Sequence, residues 1–355
     1  MKKRMQNVLV DRREDQEFDA LPGAWALAEP FRIGSLEIEN RVVQAPLAGI
    51  GNWAFRRQMR RHGAGLTISE MVASFGVHHG NERTQAMLRT VPDEHPVGIQ
   101  LFGTDPAVMA EAALAAEAAG ADLVDINMGC PVRKVCKTGA GAALLDDPDL
   151  AARVVAAMSA AVKIPVIVKM RRGMTPATSR PVEMALRMEA AGAKAIIFHP
   201  RAAAEEYGGT ADHRYTGQVA AAVSIPVIAS GDITSRKGAA KVIDETGCAA
   251  IAIGRGGLGN PWLFDSLSTG APLVRPDLAE AVVELRAFAD DITEALGDYR
   301  AGLYLRKFYG WYLDGHGVST AMREEIMTAS SVSDAFELLH ALTNRVVDGH
   351  AASAA

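Results

Sequence analysis

Between residues 40 and 265, short runs of apolar, mostly β-branched residues recur at near-constant spacing, with Ala-rich amphipathic stretches between them. Eight such runs stand at 42–45, 66–69, 97–101, 123–127, 166–170, 195–199, 227–230 and 250–253. They are apolar throughout rather than alternating, which marks strands covered on both faces, as parallel βα units require. Eight of them predict an α/β fold, a (β/α)8 TIM barrel rather than an open doubly wound sheet. The stretches between carry helix signals of their own: 106–120 opens with Asp105 as N-cap and Pro106 at the first helical position, and stops at Gly120. The gap after the fourth strand is longer than one βα unit. It predicts an insertion at the carboxyl-terminal face, where such barrels carry their chemistry.

After Pro261 the period is helical alone, over 277–296, 301–313, 319–328 and 333–347, which predicts a small all-helical C-terminal domain. The expected division is an N-terminal extension at 1–30, a barrel at 31–265 and a helical domain at 266–355. Pro272 and Pro276 mark the linker, and 351–355 is expected to fray.

With 49% hydrophobic and 22% charged residues among 355, the chain can bury a sizeable core, and disordered, collagen-like and disulfide-scaffold classes are excluded. Three cysteines without zinc-ligand spacing argue for a reducing compartment and no metal. The first apolar run is too short for a signal peptide and no later one is long enough to cross a membrane, so a soluble, cytoplasmic protein is expected. Of 37 basic and 42 acidic side chains, residues 266–355 hold 7 and 13. The overall field therefore does not attract a polyanion, and a nucleic acid needs local basic patches. The candidates are Arg56, Arg57, Arg60 and Arg61; Arg133, Lys134 and Lys137; Arg171 and Arg172; Arg236 and Lys237; Arg306 and Lys307. Solvated surface charge is the default for any one of these. The sets near Cys130 and Arg171 are the favoured pair.

The strand ends gather the chemistry on one mouth. Ser230-Gly231-Asp232 after strand seven and Gly254-Arg255-Gly256-Gly257 after strand eight form the usual phosphate site of the barrel, although glycines there also serve tight turns. Gly254, Gly256 and Gly259 fit GxGxxG, but that fingerprint opens a Rossmann unit rather than ending eight βα units. Lys169 and Gln100 suit the polar edge of a flavin ring; the alternative is that Lys169 pairs with Asp125 or Glu70. Cys130 is a candidate proton donor, its pKa expected to fall beside Arg133, Lys134 and Lys137. Cys248 reads as an inert small hydrophobe, and Cys136 as a possible partner of Cys130.

The string DINMGCPVRKVCKTGAGAALL resembles the signature of the tRNA-dihydrouridine synthase family, closest to its bacterial B-type branch. APLAG, QLFGTDP, VKMRRG, YGGTAD, IPVIASGDI, IGRGGLGNPWLF and LRKFYGWY agree in order. The resemblance implies an FMN-dependent barrel that reduces particular uridines of tRNA with electrons from NADPH or NADH. Cys130 would protonate C5 of uracil while hydride passes from flavin N5 to C6. Pro46, Leu47, Ala48, Gln100 and Lys169 would touch the flavin ring and ribityl chain. His199, Ser230, Gly231, Asp232, Gly254 and Arg255 would hold its lower part and phosphate. Asn127, Arg201 and Tyr207 would face the substrate nucleotide, with Arg133 and Lys137 on the RNA side. Departures are Leu47 for Met, Gly51-Asn52 for Thr-Asp, Ser230 for Asn, and Ala203 where a second arginine is usual. Competing expectations are a flavin-dependent oxidoreductase of a small molecule and a non-catalytic RNA-binding barrel.

Overall fold

A computed structural model describes residues 26–353; the first 25 residues of the expected extension at 1–30 and the last two residues of the 351–355 tail lie outside the described residues. Eight parallel strands close into a barrel: Val42–Gln44, Leu66–Ile68, Val97–Phe102, Leu123–Met128, Val166–Arg171, Ile196–His199, Val227–Ser230 and Ala250–Ile253. Closure is made where the last strand pairs with the first, Ile251 opposite Val42, and the second with the third, Thr67 opposite Val97. All eight strands coincide with the apolar runs. The two-residue strand Val72–Ala73 adds to the edge of the third and has no periodicity to announce it.

Side chains alternate across each strand, so every second residue points into the barrel. Near the amino ends the inward residues are apolar: Val43, Leu66, Leu123, Ile167, Ile197, Ile228 and Ala250 share one buried cluster. A short antiparallel hairpin, Phe31–Ile33 with Leu36–Ile38, adds Ile33 and Ile38 to that cluster and so plugs the lower mouth. Two positions further along the strands the inward residues turn polar, at Gln100, Asp125, Lys169 and His199. A packed floor thus lies beneath a polar upper layer. The long fourth loop holds two short turns, Arg133–Cys136 and Gly141–Asp146, before the helix Pro148–Ala161.

The helical domain comprises Leu278–Leu296, Asp298–Tyr312, Thr320–Met327 and Val332–Ser353, capped at Asp277 and Ser319 by side chains that accept from Glu280 and Met322 N–H groups. The expected barrel boundary at residue 265 falls inside the helix Trp262–Thr269, which packs on the barrel as its eighth helix. The two parts also share a core. Phe55 of the barrel helix Trp53–Arg61 meets Phe288 and Phe308 of the bundle at ring separations of 6.3 Å each. Gly259 lets the parts approach: a Cβ there would sit 2.5 Å from the Trp311 main chain. The third glycine of the apparent dinucleotide fingerprint therefore has a packing reason.

The arginine cluster of that barrel helix is not a free basic patch, contrary to one of the readings above. Arg56 is buried in a bidentate pair with Glu94, at 2.7 and 2.9 Å. Arg57 bridges Asp93 and Asp291, Arg60 pairs with Glu39, and Arg61 faces Glu284 and Asp291. His62 hydrogen-bonds Asp265 and reaches Glu284 at 3.4 Å. Burial alone would lower the His62 pKa, but these two carboxylates outweigh it and raise it to about 9. The acidic bundle and basic barrel helix are thus cross-linked. Two of the acidic residues that give the tail its negative balance, Glu284 and Asp291, face barrel cations.

Candidate active site

A cavity of about 810 Å³ opens at the carboxyl ends of the strands, lined by Ala45, Pro46, Leu47, Lys169, His199, Ser230, Gly231, Gly254 and Arg255, and continuing past Trp262 to the linker and Trp311. The size is that of a cofactor or ligand site. The loops after strands seven and eight meet backbone to backbone: a Cβ on Gly256 would lie 2.8 Å from Ile233 O and 3.1 Å from Thr234 Cα. Gly231, at φ 115°, has His199 against it, with 2.6 Å to the ring carbon from a notional Cβ. Asp232 takes a left-handed conformation at φ 52°, held because its carboxylate accepts two bonds from Arg201 (2.8 and 2.6 Å) and one from Ala211 N–H (2.8 Å). Its carboxylate is therefore committed, and only its main chain can serve an anion.

Arg201 is itself buried and also donates to Gly208 O and Gly209 O, so it shapes the loop that carries Tyr207. Tyr207 is 59% exposed and lies between the guanidinium groups of Arg255 (4.4 Å) and Arg171 (5.7 Å). Arg171 is buried and donates to Ala202 O, and Arg172 pairs with Glu205. Arg133, Lys134 and Lys137 are exposed, as an RNA-facing set requires. Ala203 is buried under the same rim. His199 has its pKa pushed down to about 2 by burial and by Lys169, Arg171 and Arg201, which leaves a neutral imidazole.

Cys130 sits half-buried on the turn that follows strand four. Its main-chain N–H and that of Gly129 donate to Asn127 Oδ1 at 2.9 and 3.1 Å. Gly141, at φ 64°, packs so tightly on this turn that a Cβ would meet Cys130 O at 2.8 Å. Burial raises the Cys130 pKa, against the expectation of a lowered one. Desolvation outweighs the lowering influences, the Val132 main-chain hydrogen bond first and then the charges of Arg171 and Lys169. A thiol kept protonated at neutral pH suits a proton donor better than a thiolate would. Cys136 donates its S–H to Cys130 O at 3.3 Å, both being free thiols, and Cys248 is buried.

In the polar layer, Lys169 is pushed down and Asp125 up by burial, each opposed by the other's charge. Of the two carboxylates considered for Lys169, Asp125 is the neighbour. Glu70 instead accepts Gly49 N–H at 2.8 Å. A contribution that the sequence did not disclose comes from the bundle: Lys307 donates to Gly49 O (2.6 Å) and Tyr304 to Ile50 O (2.8 Å). Both grip the loop after strand one, next to Pro46, Leu47 and Ala48. Among the described residues there is no group of three or more His, Cys, Asp or Glu side chains able to hold a metal ion, and no helix long and apolar enough to cross a membrane.

Comparison with known proteins agrees with this arrangement. The family described as Dihydrouridine synthase (Dus) matches residues 43–347. The chain is 38% identical over 325 residues to "Probable tRNA-dihydrouridine synthase 1" of Synechocystis sp., covering 90% of this chain and 91% of that protein. It is 37% identical over 305 residues to "tRNA-dihydrouridine synthase B" of Xanthomonas campestris pv. campestris, covering 85% and 92%. Among solved structures, histamine dehydrogenase from Rhizobium sp. 4-9 aligns with a TM-score of 0.58 at 16% identity, over 76% of this chain and 51% of that one. A variant of NCR from Zymomonas mobilis aligns at 0.53 and 19%, over 72% and 94%. At such identities the two structures speak for the barrel fold alone. The sequence matches run through the Cys130 turn, the phosphate loops and the bundle, and on their strength the chain belongs to the dihydrouridine synthase family.

Proposed function

We propose that this protein is a cytoplasmic tRNA-dihydrouridine synthase that uses FMN and takes electrons from NADPH or NADH. The observation that carries the reading is the Cys130 thiol, its pKa raised by burial, held on a turn bonded to Asn127 and close enough to Lys169, which lines the cavity with the two phosphate loops, to feel its charge. Three features favour a flavin mononucleotide. The cavity has the volume for one, the loops of 230–234 and 254–257 leave no room for side chains at Gly231 or Gly256, and Lys169 lines the cavity wall. Pro46, Leu47, Ala48, Gln100 and Lys169 would border the ring. His199, Ser230, Gly231, Gly254, Arg255 and the Asp232 main chain would hold the ribityl phosphate.

Bound here and reduced, FMN would supply hydride chemistry for C6 of uracil. Cys130 would deliver the proton to C5, which a weakly electrophilic C5=C6 bond needs from a positioned acid. Lys169 would stabilise negative charge at the ring edge. Asn127 holds the Cys130 turn, Arg201 holds the Tyr207 loop, and Tyr207 offers a ring face to a nucleotide drawn out of its stack. Arg133 and Lys137 would meet the phosphate backbone. The test is a single turnover without oxygen: protein with its flavin reduced by NADPH is mixed with unmodified tRNA. Flavin reoxidation with matching dihydrouridine is the expected result. A flavin that NADPH reduces but tRNA leaves reduced would point to a small-molecule substrate, and a protein that holds no flavin would favour a non-catalytic barrel.

A further inference from the structure

Three polar side chains form a directed chain beneath the mouth. Gln100 Nε2 donates to Asp125 Oδ2 at 2.6 Å, Asn127 Nδ2 donates to Gln100 Oε1 at 2.7 Å, and Asn127 Oδ1 accepts the Gly129 and Cys130 N–H groups. All three side chains are buried, Asp125 completely. In its ionised form, which Lys169 favours, the Asp125 carboxylate can only accept, so Gln100 then turns its NH2 toward Asp125 and its oxygen toward Asn127. Asn127 must then turn its NH2 toward Gln100 and its oxygen toward Cys130. Reversing either amide sets donor against donor or oxygen against oxygen among buried side chains. The second carboxylate oxygen, Asp125 Oδ1, is buried without a hydrogen-bond partner. A neutral residue would avoid that cost. What only an acceptor-only group supplies here is the direction of the chain.

We propose that Asp125 is a positioning residue that fixes which way the Gln100 and Asn127 carboxamides face, and through Asn127 fixes the turn that presents Cys130. The inference rests on the reading of Cys130 as the acid, but it concerns only this chain's own side chains. Its consequence is that Cys130 geometry and the charge beside Lys169 are set by one group.

The experiment follows the rate of Cys130 alkylation by iodoacetamide at fixed pH in the full-length Cys136→Ser protein, where Cys248 is buried. Asp125→Asn should free the amides to turn, loosen the Cys130 turn and raise the rate by at least about fivefold. Gln100→Met, which leaves Asp125 and Lys169 in place, should do the same, and serves if Asp125→Asn does not fold. Asp125→Asn with Gln100→Glu reverses the first link but leaves an acceptor-only carboxylate at position 100 for Asn127 Nδ2, so Asn127 keeps its orientation and the rate should return to that of the parent, which mere loosening of the site would not do. Parent-like alkylation of Asp125→Asn or Gln100→Met, or failure of the double variant to recover, would overturn the proposal. The rate needs neither flavin nor RNA, so its failure is distinct from failure of the reductase reading, which the single-turnover test decides.

Discussion

Arg56 to methionine tests whether the arginines of the Trp53–Arg61 helix hold the fold or face RNA. Arg56 and Glu94 are both no more than 1% exposed, and the guanidinium also donates to Gly51 O (3.0 Å) and Arg89 O (2.9 Å). Methionine fills much the same volume, but leaves Glu94 with the Val91 N–H (2.9 Å) as its remaining bond and two carbonyls without this donor. Removing one partner of a buried pair costs about 3–5 kcal/mol. For a chain of this size that is a fall of roughly 6–10 °C in Tm, taking about 2 °C per kcal/mol. Replacing Glu94 by glutamine in the same protein removes the stranded charge while keeping an acceptor for Val91, and should recover more than half of the loss. Thermal melts of the parent, both single variants and the double variant measure this directly. If Arg56→Met melts with the parent but binds tRNA more weakly with a shallower salt dependence, the pair is not structural and the RNA reading of this helix stands.

Three other outcomes follow from the same geometry. The His62 pKa is raised to about 9 from 6.5, so the stability from its bonds to Asp265 and Glu284 is full below 6.5 and lost as pH climbs through about 9. That loss is at most about 3 kcal/mol and should vanish in His62→Gln, as melts across this range would register. Gly256→Val drives a side chain into Ile233 O and Thr234, so the purified protein should retain about tenfold less flavin by absorbance, and full retention would reject the cradle. Lys307→Met removes the donor to Gly49 O and should weaken flavin affinity by about threefold to tenfold with little change in Tm, whereas a loss of stability alone would make Lys307 a packing residue.

The barrel was legible because each strand and helix announces itself locally: Asp105 caps its helix through the Ala107 and Val108 N–H groups, and Asp277 caps the first bundle helix. The bundle helices agree with their periodicity for the same reason. Pairings across hundreds of residues leave no such mark. Arg57 with Asp291 and Gln58 with Glu284 are separated by most of the chain, so a run of arginines read as a surface patch. The shared phenylalanine core likewise contradicts nothing in the local pattern and is invisible in it. For the site, residue types at strand ends pointed to the mouth, but the direction of the Cys130 pKa depended on burial, which sequence neighbours do not report. Lys134 and Lys137 lie close in sequence yet point to solvent.

We propose that this chain reduces uridine in tRNA and that Cys130 is the acid. Mass-spectrometric quantification of dihydrouridine in tRNA from a host lacking its own synthases, expressing either this protein or its Cys130→Ala variant, tests both halves. Dihydrouridine appearing with the parent and falling by about a hundredfold or more with the variant, while both proteins hold flavin, is the predicted result. No dihydrouridine from the soluble, flavin-bound parent would contradict the activity, and equal yields from the two would contradict the role of Cys130.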